Sequence, residues 1–213
     1  MRGGREGGLA ERAGSFYSQT MRRLLLAGAA AAAGGVYLGV VSGRLTVDVG
    51  WGRSRRRLGP LAVDVAAPRE LVFDVVAAPY LGRTPHAMAD KLRVVERGGD
   101  MVLAEHRTPV RRGVTASTLE TVRFTRPERV DFRLVRGPVP HVVEEFVLRE
   151  HGGGTRLHYD GELAADLWAL GRWWGGVVGG RWEAAVAASL ESIRREAERR
   201  AAVAARGQAR PGS

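Results

Sequence analysis

Six consecutive runs between Lys91 and Leu163 alternate apolar and polar residues, and nothing else in the chain restricts the fold as tightly. The runs are KLRVVER, MVLAEHRTPV, VTASTLETVRF, RVDFRLV, HVVEEFVL and TRLHYDGEL. Between them stand Gly98-Gly99-Asp100, Arg112-Gly113, Arg126-Pro127-Glu128, Gly137-Pro138 and Gly152-Gly153-Gly154. A period of two sends alternate side chains to opposite faces, and loops this short join neighbouring strands only in antiparallel order. The pattern therefore predicts a meander with one face to be covered. A helix from Asp166 to about Arg206 supplies the cover, since Leu167, Leu170, Trp174, Val178, Trp182, Val186, Leu190 and Ile193 recur at helical spacing. Ahead of the meander, LAVDVAA (61–67) reads as a further strand. It is followed by a helix that Pro68 opens, that carries Leu71, Val72, Val75 and Val76 on one side, and that Pro79 ends. The fold class is α+β, with one core for 213 residues.

The N-terminal part follows other rules. Residues 1–23 are rich in Gly, Arg and Ser without an apolar period and are expected to form a disordered leader. Residues 24–43, LLLAGAAAAAGGVYLGVVSG, carry no charge and are long enough to cross a bilayer as a helix. A single transmembrane helix is the favoured reading; a buried Ala/Gly helix and a cleaved signal segment stay open beside it. Five Arg follow the run within residues 44–58, against three before it in residues 9–23, which leans towards a cytoplasmic C-terminal domain at the cell membrane. Gly35, Gly39 and Gly43 recur every four residues, a spacing that lets membrane helices approach as a homodimer or that arises by chance from the composition. Residues 44–58 form a basic linker whose Arg53, Arg55, Arg56 and Arg57 either meet anionic lipid headgroups or are simply solvated.

The formal net charge of +10 invites a nucleic-acid partner until its location is considered. Residues 61–193 hold 17 basic and 18 acidic residues, so the excess lies in the terminal segments and nucleic acid is not expected. No cysteine is present, which removes disulfides, thiolate metal sites and a cysteine nucleophile. His86, His106, His141, His151 and His158 lack metal-ligand spacing, so neither a metal nor a cofactor is expected.

The segments VDVAAPRELVFDVV and EEFVLREHGGGTRLHYDGEL, the latter followed by a Trp-rich helix, resemble the START/Bet v 1-like (SRPBCC) superfamily in its polyketide cyclase/dehydrase and lipid-transport branch. The resemblance spans about residues 59–200, with 201–213 left as a disordered tail. It implies a helix-grip fold, in which a curved antiparallel sheet wraps a long C-terminal helix around an apolar cavity. The implied partner is a hydrophobic small molecule such as a lipid, isoprenoid or polyketide. Strand parity would put Val130, Phe132, Phe146, Leu157 and Tyr159 on the inner face, opposite Trp174 and Val178 of the helix. Gly171, Gly175 and Gly179 either clear room for the ligand or mark a break in the helix. Glu144 and Tyr159, with Glu120 on the face of Val122 and Phe124, would project into the cavity as candidate acid or base groups. A β-bulge that shifts parity, or an arginine partner for Glu144 at the sheet rim, is the alternative. A carrier, a cyclase or dehydrase, and an interaction module that uses Trp168, Trp173 and Trp174 against a membrane or partner are the three function classes left.

Overall fold

Alternation becomes a sheet because each strand has apolar residues for only one face. The structure, a computed structural model, describes residues 6–82, 90–111 and 113–208. Its seven strands are β1 (Ser54–Val65), β2 (Leu92–Arg97), β3 (Met101–Arg111), β4 (Val114–Thr125), β5 (Arg129–Arg136), β6 (His141–His151) and β7 (Gly154–Ala165). They form one antiparallel sheet in the order β1-β7-β6-β5-β4-β3-β2, so the six-run meander is closed at one edge by β1. The turn between β6 and β7 consists of Gly152 and Gly153, with φ of 58° and 79°. Two residues of positive φ match the twist of a two-residue hairpin, which is why glycines stand there. Helix α2 (Arg69–Leu81) follows β1, and α3 (Trp168–Gln208) follows β7 and packs on the sheet. This is the helix-grip architecture.

The chain divides into two units, residues 1–39 and 40–213. Helix α1 (Glu6–Val41) accounts for the first. Its Met21–Val41 portion is long and apolar enough to cross a membrane and is almost wholly exposed. The helix begins at Glu6, so residues 6–23 are helical where a leader without structure was expected. It also ends before Gly43, whose Cβ position lies 1.9 Å from the Ser117 carbonyl oxygen in the second unit. Gly43 thus serves a close backbone approach and is not on a helical stripe with Gly35 and Gly39.

Three further boundaries are corrected. β1 starts at Ser54, which takes the expected linker's arginines into the sheet edge: Arg55 pairs with Glu162 at 2.6 Å, Arg56 with Glu183 at 2.6 Å, and Arg57 with Asp160. Those positions alternate too weakly in hydropathy to read as strand. Helix α2 passes through Pro79 to Leu81, because a proline near a helix end sacrifices one hydrogen bond without stopping the coil. Arg97 then donates to the Tyr80 and Gly82 carbonyls. Helix α3 is unbroken to Gln208, so its glycines mark no break. Most of the stretch from Pro79 to Asp90, with His86, and residues 209–213 lie outside the described residues.

The core fills the space between sheet and helices. Val72, Phe73 and Val76 of α2 meet Val122, Val130, Phe146, Leu148 and Leu157 of the sheet and Val178, Val186 and Leu190 of α3. Fully burying one such side chain contributes about 1.5–3 kcal/mol, so this layer dominates the stability of the second unit.

Candidate functional site

The inner face of the sheet does not meet α3 along its whole length. Between them, beside α2, lies a cavity of about 910 Å³ walled by Val75, Val76, Phe132, Phe146, Val178 and Val186. Exposed Arg181 and Ser189 also border it, so it reaches the surface. Parity on β5 and β6 points Phe132 and Phe146 inward, and Val178 and Val186 follow from the stripe of α3. Val130, Leu157 and Tyr159 are buried in the adjoining core instead of in the wall.

The remaining ligand candidates lie elsewhere. Trp174 donates its indole N–H to the Pro138 carbonyl at 2.7 Å. The Cβ position of Gly171 lies 1.9 Å from the Asp166 carbonyl oxygen, and that of Gly175 lies 3.3 Å from Leu163 Cδ2. These glycines let α3 press against its own entry turn and β7. They clear no room for a ligand, and the expectation that they line the cavity is corrected.

Two buried carboxyl groups, Glu144 and Glu120, face the cavity from the sheet. Glu144 (β6) is buried, and parity places it as the sequence implied; its partner is the Trp182 indole, which donates at 2.7 Å, and not a rim arginine. Burial, with the charge of Glu120 added, pushes its pKa up to about 7, against the smaller opposing effect of Trp182 and Tyr159. The Tyr159 hydroxyl is near enough to influence Glu144 but makes no hydrogen bond of acceptable geometry, and burial raises its own pKa.

Glu120 (β4) accepts from Thr118 Oγ1 at 2.6 Å, and its Oε2 lies 3.4 Å from His106 Nδ1. His106 Nε2 in turn lies 3.3 Å from the Tyr80 hydroxyl. The tautomer that suits both contacts carries its proton on Nδ1, which leaves Nε2 to accept from Tyr80. Tyr80 keeps one face on the cavity but is otherwise enclosed by protein, and burial, then Glu120 and Glu144, hold its proton on well above the usual phenol range. The result is a chain from carboxylate to imidazole to phenol and, two strands away on the same face of the sheet, a protonatable carboxyl. Tyr80, His106, Thr118 and Trp182 were not singled out as site residues from sequence. For His106 a signal existed, since it shares strand parity with the buried Val102 and Ala104. Among the described residues no group of three or more His, Asp or Glu is placed to hold a metal ion.

The family described as polyketide cyclase/dehydrase and lipid transport matches residues 61–198. The chain belongs to that family. It is thereby a member of the START/Bet v 1-like superfamily. Among solved structures, it is similar to the Zhui aromatase/cyclase from Streptomyces sp. R1128, with 19% identity, a TM-score of 0.53, and coverage of 70% of this chain and 95% of that one. It is also similar to norcoclaurine synthase from Thalictrum flavum in complex with dopamine and hydroxybenzaldehyde, with 13% identity, a TM-score of 0.53, and coverage of 68% and 87%. The di-domain aromatase/cyclase StfQ from the steffimycin biosynthetic pathway gives 14% identity and a TM-score of 0.51, covering 73% of this chain and 52% of its own. No curated protein matches the chain in sequence. At these identities the likeness is one of fold.

Proposed function

We propose that this chain is a single-pass membrane-tethered protein that holds a hydrophobic small molecule, of lipid, isoprenoid or polyketide-like kind, between its sheet and α3. The observation that carries the reading is the cavity of about 910 Å³, mostly apolar in its depth, with the Glu144 and Glu120–His106–Tyr80 groups facing it from the sheet side and Arg181, Glu196 and Arg200 bordering it from α3. A pure hydrocarbon there would desolvate these groups without offering a partner, so the favoured ligand carries oxygen functions. Tethering is supported by the apolar, exposed Met21–Val41 helix, and the arginine excess beyond it favours a cytoplasmic domain. Gly35 and Gly39 are the residual basis for a helix-mediated dimer. Solvent extraction of the purified full-length protein, followed by mass spectrometry, is expected to yield an oxygenated hydrophobic molecule in near-stoichiometric amount. Recovery of nothing above the level of bulk lipid would overturn the binding reading.

A second reading, a cyclase or dehydrase, is favoured by one observation: a buried carboxyl whose pKa of about 7 lets it take or give a proton at neutral pH. In an aldol-type closure, ionised Glu144 would remove a proton from the carbon beside a carbonyl. The new carbon–carbon bond would form at a second carbonyl as its π bond breaks, and that oxygen would take the proton back from Glu144 to become hydroxyl, which leaves Glu144 ionised again. Returning the recovered molecule to fresh protein separates the two readings. An enzyme converts it, and Glu144→Gln should then lower turnover by about 10²-fold or more; a carrier returns it unchanged.

A further inference from the structure

One end of the second unit carries large apolar side chains that its core does not use. The segment from Ser42 to Gly52 is fastened there at three places: Thr46 Oγ1 donates to the Gly137 carbonyl at 2.7 Å, the backbone N–H groups of Val49 and Gly50 each donate to Asp166 Oδ2 at 2.8 Å, and the carbonyls of Trp51 and Gly52 accept from the N–H groups of Leu167 and Trp168. These bonds gather Leu45, Val49, Trp51, Trp168, Leu170 and Trp173 onto connected elements. All six are exposed; the three indoles are exposed to 71%, 59% and 60%. Large apolar side chains left exposed on an ordered frame mark an interaction surface.

Two observations choose the occupant. The apolar Met21–Val41 stretch leads directly into this segment, reaching Trp51 only ten residues after Val41. The surface is also fringed by exposed Arg44, Arg136 and Arg172, while the acids within it, Asp48 and Asp166, are both engaged by Arg53. Tryptophan favours the headgroup level of a bilayer, and arginine at that depth favours anionic lipid. We infer that Trp51, Trp168 and Trp173 seat the domain on the headgroup layer of an anionic bilayer, with the entry turn of α3 facing the lipid. The inference rests on the tether only through the continuity of the chain, and it assigns an orientation that a tether alone does not.

The test uses full-length protein reconstituted in phosphatidylcholine/phosphatidylglycerol vesicles brominated near the top of the acyl chains. Flotation of the vesicles reports the tether; bromine quenching of tryptophan reports the seat. The expected result is flotation with strong quenching, most of which is lost in Trp51→Phe/Trp168→Phe/Trp173→Phe, because Trp174 and Trp182 point into the domain. Phenylalanine at exposed positions preserves the fold, which an unchanged unfolding temperature would establish. Flotation without quenching would overturn the seat and leave the tether standing. Shielding of the three indoles from aqueous acrylamide without bromine quenching would assign the surface to a protein and likewise overturn the inference. Failure to float would overturn tether and seat together.

Discussion

Glu144 shows how one residue's surroundings set both stability and chemistry. Its carboxyl would have a pKa of 4.5 in water and has one of about 7 in the folded protein, mainly through burial. Between these values the native state holds a proton that the unfolded state has released, so stability falls as pH rises from about 4.5 through 7. Glu144→Gln, whose side-chain oxygen can still accept from Trp182, is expected to raise the unfolding temperature relative to wild type above pH 7 and to make no difference below pH 4.5. The difference at high pH could reach about 3 kcal/mol, which pH-dependent thermal unfolding would resolve. Parity made Glu144 and Glu120 legible from sequence: β6 pairs in unbroken register at Glu144, and the register shift beside Glu120 puts its extra residue, Val135, on β5, which leaves the alternation of β4 intact. The Tyr80–His106 half of the cluster was not legible: Tyr80 stands beyond a proline read as a terminator, and its pairing with His106 joins a helix end to a distant strand.

At the level of elements, the entry into α3 is a joint held from both sides by hydrogen bonds. Leu167 and Trp168 have φ of 75° and 48°, which non-glycine residues seldom adopt, and their N–H groups are bonded to the Trp51 and Gly52 carbonyls. Asp166 anchors the arrangement: Arg53, then the N–H groups of Gly50 and Val49, lower its pKa to about 2. A depressed pKa adds stability that is present above the unfolded value of 3.8 and fades as pH falls towards 2. Replacing Asp166 with Asn should cost about 2 kcal/mol in chemical denaturation at pH 7, and the loss should shrink under acid conditions. The glycines of α3 separate in the same way. Gly171→Ala drives a Cβ into the Asp166 carbonyl and should destabilise by about 1–3 kcal/mol or more, whereas Gly176, with nothing within 4 Å, should tolerate alanine and gain up to about 1 kcal/mol of helix propensity. Equal effects of the two substitutions would contradict this packing. The stripe itself was visible in the sequence. Its purpose was not, since the spacing of glycines says nothing about which surface approaches them.

For the whole molecule, hairpin punctuation and the apolar helix stripe made the helix-grip topology legible, while the start of β1 was hidden because alternation fades through Arg55–Arg57. A truncated chain that begins at residue 59 would lose the first five residues of β1 and the clamp on Asp166, so it should unfold at lower temperature than one that begins at residue 42. The proposed occupant of the cavity between sheet and α3 is a hydrophobic molecule, and Ala185 of α3 borders that space without making up the buried core. The most direct measurement is native mass spectrometry of the full-length chain released from detergent, wild type beside Ala185→Trp. The expected result is a defined bound mass on the wild type that is absent from the variant, with both proteins unfolding at similar temperature. No bound mass on the wild type, or the same bound mass on both, would contradict it.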